Sequence, residues 1–195
     1  MEHCIVSGGD RMIPALLDGE TVIPQRPLGW YSLMPDLLPD YFPVEHNGRW
    51  GLMEVRSGRL TIPFRYEAVD APMGERFVAK EGRWGVVDVE GSLRLPFLYD
   101  SVQLNSCADG MTGCPRLADC SYALRDGRVT LLNRDLRPVW EDLTDLPERY
   151  GNYLLLQRGR KFGVAAQDGR PISFVSMHKR EAMHLIRRLN GEPLS

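Results

Sequence analysis

Asn47-Gly48-Arg49-Trp50-Gly51-Leu52-Met53-Glu54-Val55 recurs 34 residues later as Glu81-Gly82-Arg83-Trp84-Gly85-Val86-Val87-Asp88-Val89. Behind each block the order repeats again. Gly58, Ile62-Pro63-Phe64, Tyr66-Glu67 and Val69 return as Gly91, Leu95-Pro96-Phe97, Tyr99-Asp100 and Val102, with one residue deleted between the blocks. Matches this numerous and this ordered identify an internal duplication, the signature of a repeat architecture.

Weaker copies lie on either side. Phe162-Gly163-Val164, followed by Asp168-Gly169, keeps the glycine and puts Phe where Trp stood. Asp126-Gly127-Arg128-Val129-Thr130-Leu131-Leu132-Asn133 keeps the turn but has lost both Trp and Gly. At the N-terminus, a shift of 39 residues places Gly9, Ile13, Gly19, Ile23 and Pro24 on Gly48, Leu52, Gly58, Ile62 and Pro63. Anchors at Arg11, Trp50, Trp84, Val129 and Phe162 therefore mark five copies, at about 1–40, 41–75, 76–120, 121–150 and 151–176. Together they form one array over 1–176.

Each copy reads as β. A short alternating segment precedes each anchor: Phe42 and Val44, Phe77 and Ala79, Tyr122 and Leu124, Tyr153 and Leu155. This period of two is the strand signal. Turn pairs follow at Asn47-Gly48, Glu81-Gly82, Asp126-Gly127 and Arg158-Gly159, and such pairs favour the positive φ of tight hairpins. The Trp-Gly strand comes next, then a second turn and a third strand with a proline, Pro63 or Pro96. Proline cannot donate to a ladder, which suits a strand end or edge. One hairpin cannot bury its own apolar face, so such units reach stability by stacking. Trp50, Trp84 and Phe162 are expected to plug the space between units. Gly51, Gly85 and Gly163 would let another backbone or ring lie close.

The run Gly-Arg-Trp-Gly, a turn glycine, Ile/Leu-Pro and Tyr-Asp/Glu resembles the WG (KWG) repeat family, found widely in bacterial proteins. The resemblance is strong from Tyr41 to Val102 and weak from Tyr122 to Phe174. It implies repeated β-hairpins, usually without an assigned activity, and supplies no catalytic residues to carry over. Copies one and four lack the Trp-Gly pair and read as caps or as copies specialised for a partner. The expected fold is all-β: three-strand hairpin repeats in a twisted, solenoid-like array, with a small five-unit propeller as the alternative.

A hydrophobic fraction of 43% with 26% charged residues is that of a folded globular chain. Formal net charge is −2, from 24 basic and 26 acidic residues, which argues against a nucleic-acid protein. No stretch approaches the roughly 20 apolar residues that span a bilayer. The first residues lack the pattern of a signal peptide, so a cytoplasmic location with free thiols is expected.

Three regions fall outside the pattern. Gln103 to Cys120 lengthens one anchor spacing to 45 and carries Cys107, Cys114 and Cys120 among Gly, Pro and Asp. Those cysteines read as free thiols, as a disulfide pair, or as weak zinc candidates, since Cys-x6-Cys-x5-Cys matches no familiar knuckle. Insertions in repeat arrays are often binding loops, which nominates Asp109, Met111 and Arg116. Between Pro24 and Pro43, Trp30, Tyr31, Met34, Leu37 and Leu38 make an apolar connection. It reads either as a loop folded over a sheet or as a contact patch, so Trp30 and Met34 are further binding candidates.

The third region, 177–190, changes to helical period. Ala182, Leu185, Ile186 and Leu189 recur on one side, with Arg180, Arg187 and Arg188 elsewhere. Gly191 and Pro193 end it. Covering an open sheet edge is the expected role, with a membrane surface or an acidic partner as the alternative. His184 shares sides of the helix with Arg180 and Arg187 and reads as part of a solvated face.

Nothing in the sequence resembles a nucleophile elbow, a P-loop or a zinc-binding histidine pair. Glu54 and Asp88 share one repeat position and Glu67 and Asp100 another, which the repeat itself explains, because acids near turns accept backbone N–H groups. The expected function is a non-catalytic protein-binding scaffold without cofactor, whose partner is another protein and not nucleic acid or membrane. One alternative is an immunity or antitoxin protein masking a bacterial toxin. Another, of a different class, is a metal protein or enzyme centred on the cysteine-containing insertion.

Overall fold

The computed structural model describes residues 1–8, 11–28, 39–70, 72–104 and 120–192. The fold is all-β, built from three-strand antiparallel units and followed by one C-terminal helix. The chain divides into two compact units, Met1–Leu98 and Tyr99–Ser195.

In the first unit, β1 (Glu2–Ser7), β2 (Met12–Asp18) and β3 (Thr21–Pro24) form a meander. Then come β4 (Tyr41–His46), β5 (Arg49–Glu54) and β6 (Leu60–Tyr66), and all six make one antiparallel sheet in the order β3-β2-β1-β4-β5-β6. Asn47 and Gly48, at φ 51° and 75°, form the tight turn between β4 and β5, the conformation Asn-Gly favours. The sheet curls until its outer strands meet. Val22 donates its N–H to the Gly58 carbonyl at 2.7 Å, and Leu60 donates to Glu20 at 2.7 Å. A Cβ on Gly58 would lie 2.8 Å from the Val22 oxygen, so this contact requires glycine. Inside the curl, Cys4, Val6, Ile13, Ala15, Val22, Phe42, Val44 and Met53 form one cluster.

The next sheet runs β10-β9-β8-β7, from β7 (Ala68–Val69), β8 (Arg76–Glu81), β9 (Arg83–Asp88) and β10 (Leu93–Tyr99). It stacks on the first: Leu52, Ile62 and Tyr66 meet Phe77, Ala79 and Val87. Tyr66 sets its ring 6.0 Å from those of Phe77 and Phe97. Trp50 is half-buried at the margin of this cluster. The deepest side chains between the sheets are therefore the aliphatic and Tyr66–Phe77 set rather than the tryptophan.

The second unit repeats the plan. β11 (Ser101–Gln103), β12 (Ser121–Arg125), β13 (Arg128–Leu132) and β14 (Pro138–Leu143) form one sheet in that order. β15 (Glu148–Tyr150), β16 (Tyr153–Arg158) and β17 (Lys161–Ala166) form the other. Cys120, Val129, Leu131 and Leu143 pack on Leu154, Leu156 and Ala165. The Trp140 indole N–H also donates to the Gly169 carbonyl at 2.8 Å, tying the fourth copy to the fifth.

The first hairpin strand of the second, third and fifth copies departs from the expected alternation, which β12 of the fourth keeps. Phe77-Val78-Ala79 and Leu154-Leu155-Leu156 are buried at every position. A sheet covered on both faces has no solvent side to alternate with, as in other doubly covered sheets. On the last sheet the second face is covered by α1 (Lys179–Leu189): Ala182 and Ile186 pack on Leu155 and Val164. The helix thus covers a face, where an edge was expected. Leaving Leu155 and Ile186 in water would cost about 2 kcal/mol each, which explains why the array does not stop at β17.

The signature glycines mark a crossing. Two residues of β5 oppose four of β6, since Trp50 pairs with Tyr66 and Leu52 with Ile62. The stretch Ile62-Pro63-Phe64 passes over Gly51, where a Cβ would lie 2.4 Å from the Ile62 oxygen. Gly85 lies under Leu95-Pro96-Phe97 in the same way, with a Cβ 2.6 Å from the Leu95 oxygen, and Gly163 lies under Phe174-Val175. Pro63 and Pro96 accordingly sit within edge strands at the crossing and not at strand ends, consistent with proline's confinement to edges and bulges.

Candidate functional site

The recurring polar residues are engaged in holding strands together, within a copy and between copies. Arg49 donates to the Arg65 carbonyl and Arg83 to that of Leu98, each clamping the third strand just before its tyrosine. The residue after that tyrosine reaches the next hairpin. Glu67 accepts the Gly82 N–H at 3.0 Å, and Asp100 accepts the Asp126 N–H at 2.7 Å. Thr144, at the same place in the fourth copy, accepts the Gly159 N–H at 3.0 Å. All three also donate their backbone N–H groups to the strand they reach, at Lys80, Leu124 and Gln157.

Asp88 is nearly inaccessible and fully occupied. Its carboxylate accepts the Glu90 and Ser92 N–H groups and a two-point contact from Arg94 at 2.8 and 2.7 Å. Burial pushes its pKa up. The Ser92 N–H, the Arg94 guanidinium and the Glu90 N–H outweigh that and hold it below the usual carboxylate range. A carboxylate so satisfied is a structural anion and unsuited to proton transfer. It borders a mixed-charge groove of about 420 Å³ with Arg59, Glu75, Arg76 and Glu90.

Of the binding and metal candidates read from the sequence, Trp30, Met34, Cys107, Asp109, Met111, Cys114 and Arg116 lie outside the described residues. Cys120 is buried, and its thiol donates to the Gln167 carbonyl at 3.2 Å. Among the described residues no group of three His, Cys, Asp or Glu side chains is placed to hold a metal ion. Among them, too, no helix is long and apolar enough to cross a membrane. Trp84 is half-buried on β9, and Phe162 is half-buried against the helix with Lys179 Nζ 5.7 Å from its ring centre.

Two surfaces stand out among the described residues. The outer face of the N-terminal meander is apolar: Ile5 lies opposite Pro14 and Leu16 opposite Ile23, and Met12 and Ile23 are 53% and 42% exposed. The alternation on β1 and β2 contains this face, but the sequence reading did not single it out. The other is a groove of about 410 Å³ along α1, lined by Met177, Arg180, Glu181, His184, Leu185 and Arg188. Arg180 and His184, expected with Arg187 on a solvated side of the helix, stand here with Arg188 instead. Phe174, 86% exposed, stands three residues before Met177.

No family model and no curated protein matches the chain. Among solved structures it is similar to a eukaryotic initiation factor at 16% identity and a TM-score of 0.38, over 72% of this chain and 42% of that one. It is also similar to regucalcin, a calcium-binding protein from Agrobacterium tumefaciens, at 10% identity and a TM-score of 0.28, over 69% of this chain and 54% of that one. The chain thus spans about half the length of these structures or less. Likenesses so distant carry no argument about function.

Proposed function

We propose that the chain is a cytoplasmic, non-catalytic protein-binding scaffold of WG-type repeats. One observation carries the reading: the residues that recur from copy to copy (Arg49 and Arg83, Glu67 and Asp100, Gly51 and Gly85) all serve the strands and turns of the array itself. A repeat whose signature residues are committed to its own framework offers its variable surfaces to partners. The exposed apolar face of the meander is one such surface.

The test is purification of the tagged chain from its own host's lysate, with mass spectrometry of what accompanies it. A stoichiometric protein partner is the expected result. Recovery of the chain alone, together with turnover of a small-molecule substrate, would overturn the scaffold reading.

A further inference from the structure

Helix α1 carries Lys179, Arg180, His184, Arg187 and Arg188 against a single acid, Glu181, in a chain of net charge −2. Part of this charge is already engaged. Lys179 lies 3.8 Å from Glu148, and Glu181 accepts the His178 N–H at 2.8 Å at the start of the helix. Among the described residues, the side chains of Arg180, His184, Arg187 and Arg188 make no hydrogen bond or ion pair. They are charge without an internal use.

Three of them are organised. Arg180, His184 and Arg188 recur every four residues, on one side of the helix, and span about 12 Å. They line the 410 Å³ groove together with Met177 and Leu185, which are half-buried, and with Glu181, whose carboxylate is engaged by the His178 N–H. A row of basic side chains thus runs beside a short apolar floor.

We propose that this groove docks an acidic polypeptide segment, one whose carboxylates face Arg180, His184 and Arg188 and whose apolar side chain covers Met177 and Leu185. The inference rests on the scaffold reading and names the chemistry of one partner. Charge complementarity selects the occupant. An anionic membrane is the poorer match, because an interfacial helix needs its apolar face for the lipid. Here Ala182 and Ile186 are turned onto the sheet. A nucleic-acid strand fits less well too, since the groove offers one imidazole, His184, and no row of rings for successive bases to stack on.

The test uses the full chain and a fluorescein-labelled peptide, Glu-Glu-Asp-Leu repeated three times, read by anisotropy. Beside it run the same peptide with Gln and Asn for its acids, vesicles of phosphatidylcholine with about a third phosphatidylserine, and a short oligouridylate. The acidic peptide is expected to bind and to weaken as salt rises. The doubly substituted Arg180→Glu/Arg188→Glu chain should lose about tenfold or more in affinity. Arg56→Glu/Arg160→Glu makes the same change in net charge at exposed turn residues that do not line the groove, and should leave binding within about twofold.

No binding of the acidic peptide overturns the proposal. So does equal loss in both double variants, or tighter binding to vesicles or oligouridylate. Matched melting curves and helical signal for the two variants exclude misfolding as the cause. A partner captured from host lysate that persists through Arg180→Glu/Arg188→Glu overturns the groove and leaves the scaffold reading standing. Recovery of the unaltered chain alone, together with turnover of a small-molecule substrate, overturns that reading instead.

Discussion

The second and fourth copies build the same three strands from different residues, and the differences are matched in pairs. In the second, Gly51 lies beneath the crossing strand, and two residues of β5 oppose four of β6. In the fourth, Thr130 replaces the glycine, and two residues of β13 oppose three of β14, since Val129 pairs with Leu143 and Leu131 with Trp140. The side chain and the smaller bulge go together. A second exchange sits at the next turn. Gly91 of the third copy closes its turn on Asp88 at φ 89°, and Leu136 closes the corresponding turn on Asn133 at φ 61°. Copies therefore decay by compensated steps, and the loss of the Trp-Gly pair is not the loss of the fold.

The strongest way to break this comparison is to put a side chain where the crossing is wide. Gly51→Val sets its Cβ against backbone, the Ile62 oxygen at 2.4 Å and the Pro63 carbonyl carbon at 3.1 Å, and neither can rotate away. A loss of about 3 kcal/mol is expected, against about 1 kcal/mol for Thr130→Gly, which only loosens a strand. Urea unfolding measures both. Equal losses would show that the glycine does not serve the crossing.

Asp88 and Asn133 hold equivalent turns with and without charge. Asn133 Oδ1 accepts the Asp135 and Arg137 N–H groups as Asp88 Oδ1 accepts those of Glu90 and Ser92. Asp88→Asn keeps the shape, removes the charge and should cost about 2 kcal/mol at neutral pH. Because the folded pKa of Asp88 is depressed, its contribution is complete above the unfolded value of about 4. It fades as pH falls through the lower folded value. The gap between wild type and Asp88→Asn should therefore close below pH 4 or so. A gap constant from pH 7 to 3 would place the contribution elsewhere.

Much of this plan was legible in the sequence. Asn47-Gly48 and Asp126-Gly127 announced turns that do adopt positive φ, and the helix expected over 177–190 forms over Lys179–Leu189. Pairings between distant residues were not legible. Glu67 and Gly82 each recur as members of a repeat, but nothing local says that one caps the other 15 residues away. The contact between Val22 and Gly58 likewise depends on how far the sheet curls. The helical spacing set His184 beside Arg180 and Arg187 on a solvated side, whereas the groove brings Arg180 and His184 together with Arg188. The groove's other side is Met177, brought there because it bridges to Phe162 on β17.

Leu136 sharpens the comparison further, because two effects of opposite sign meet in one residue. Its left-handed φ costs about 1 kcal/mol or somewhat more. Its side chain, 4% exposed, stabilises by about 2 to 3 kcal/mol on burial. Leu136→Gly relieves the first and forfeits the second, so a net loss of about 1 to 2 kcal/mol is expected. A gain in melting temperature would show that the fourth copy tolerates the leucine without using it.

The smallest effect tests whether the link between copies survives in the decayed ones. Thr144 serves Gly159 as Glu67 serves Gly82, but with a hydroxyl in place of a carboxylate. Thr144→Val keeps the shape and the backbone bond from residue 144 to the Gln157 carbonyl and removes the hydroxyl, which accepts from Gly159 and donates at 3.4 Å to the Gln157 carbonyl, at about 1 kcal/mol or less. Glu67→Gln retains an acceptor oxygen and should cost still less. It also removes the partner of Lys80, 3.6 Å away on the exposed surface, which contributes little. If Thr144→Val is silent while Glu67→Ala costs about 1 kcal/mol, the fourth copy is held to the fifth by Trp140, the backbone bond from residue 144, the Arg158 bond to the Glu141 carbonyl and the Leu143–Leu154–Leu156 cluster, and the hydroxyl link is a remnant.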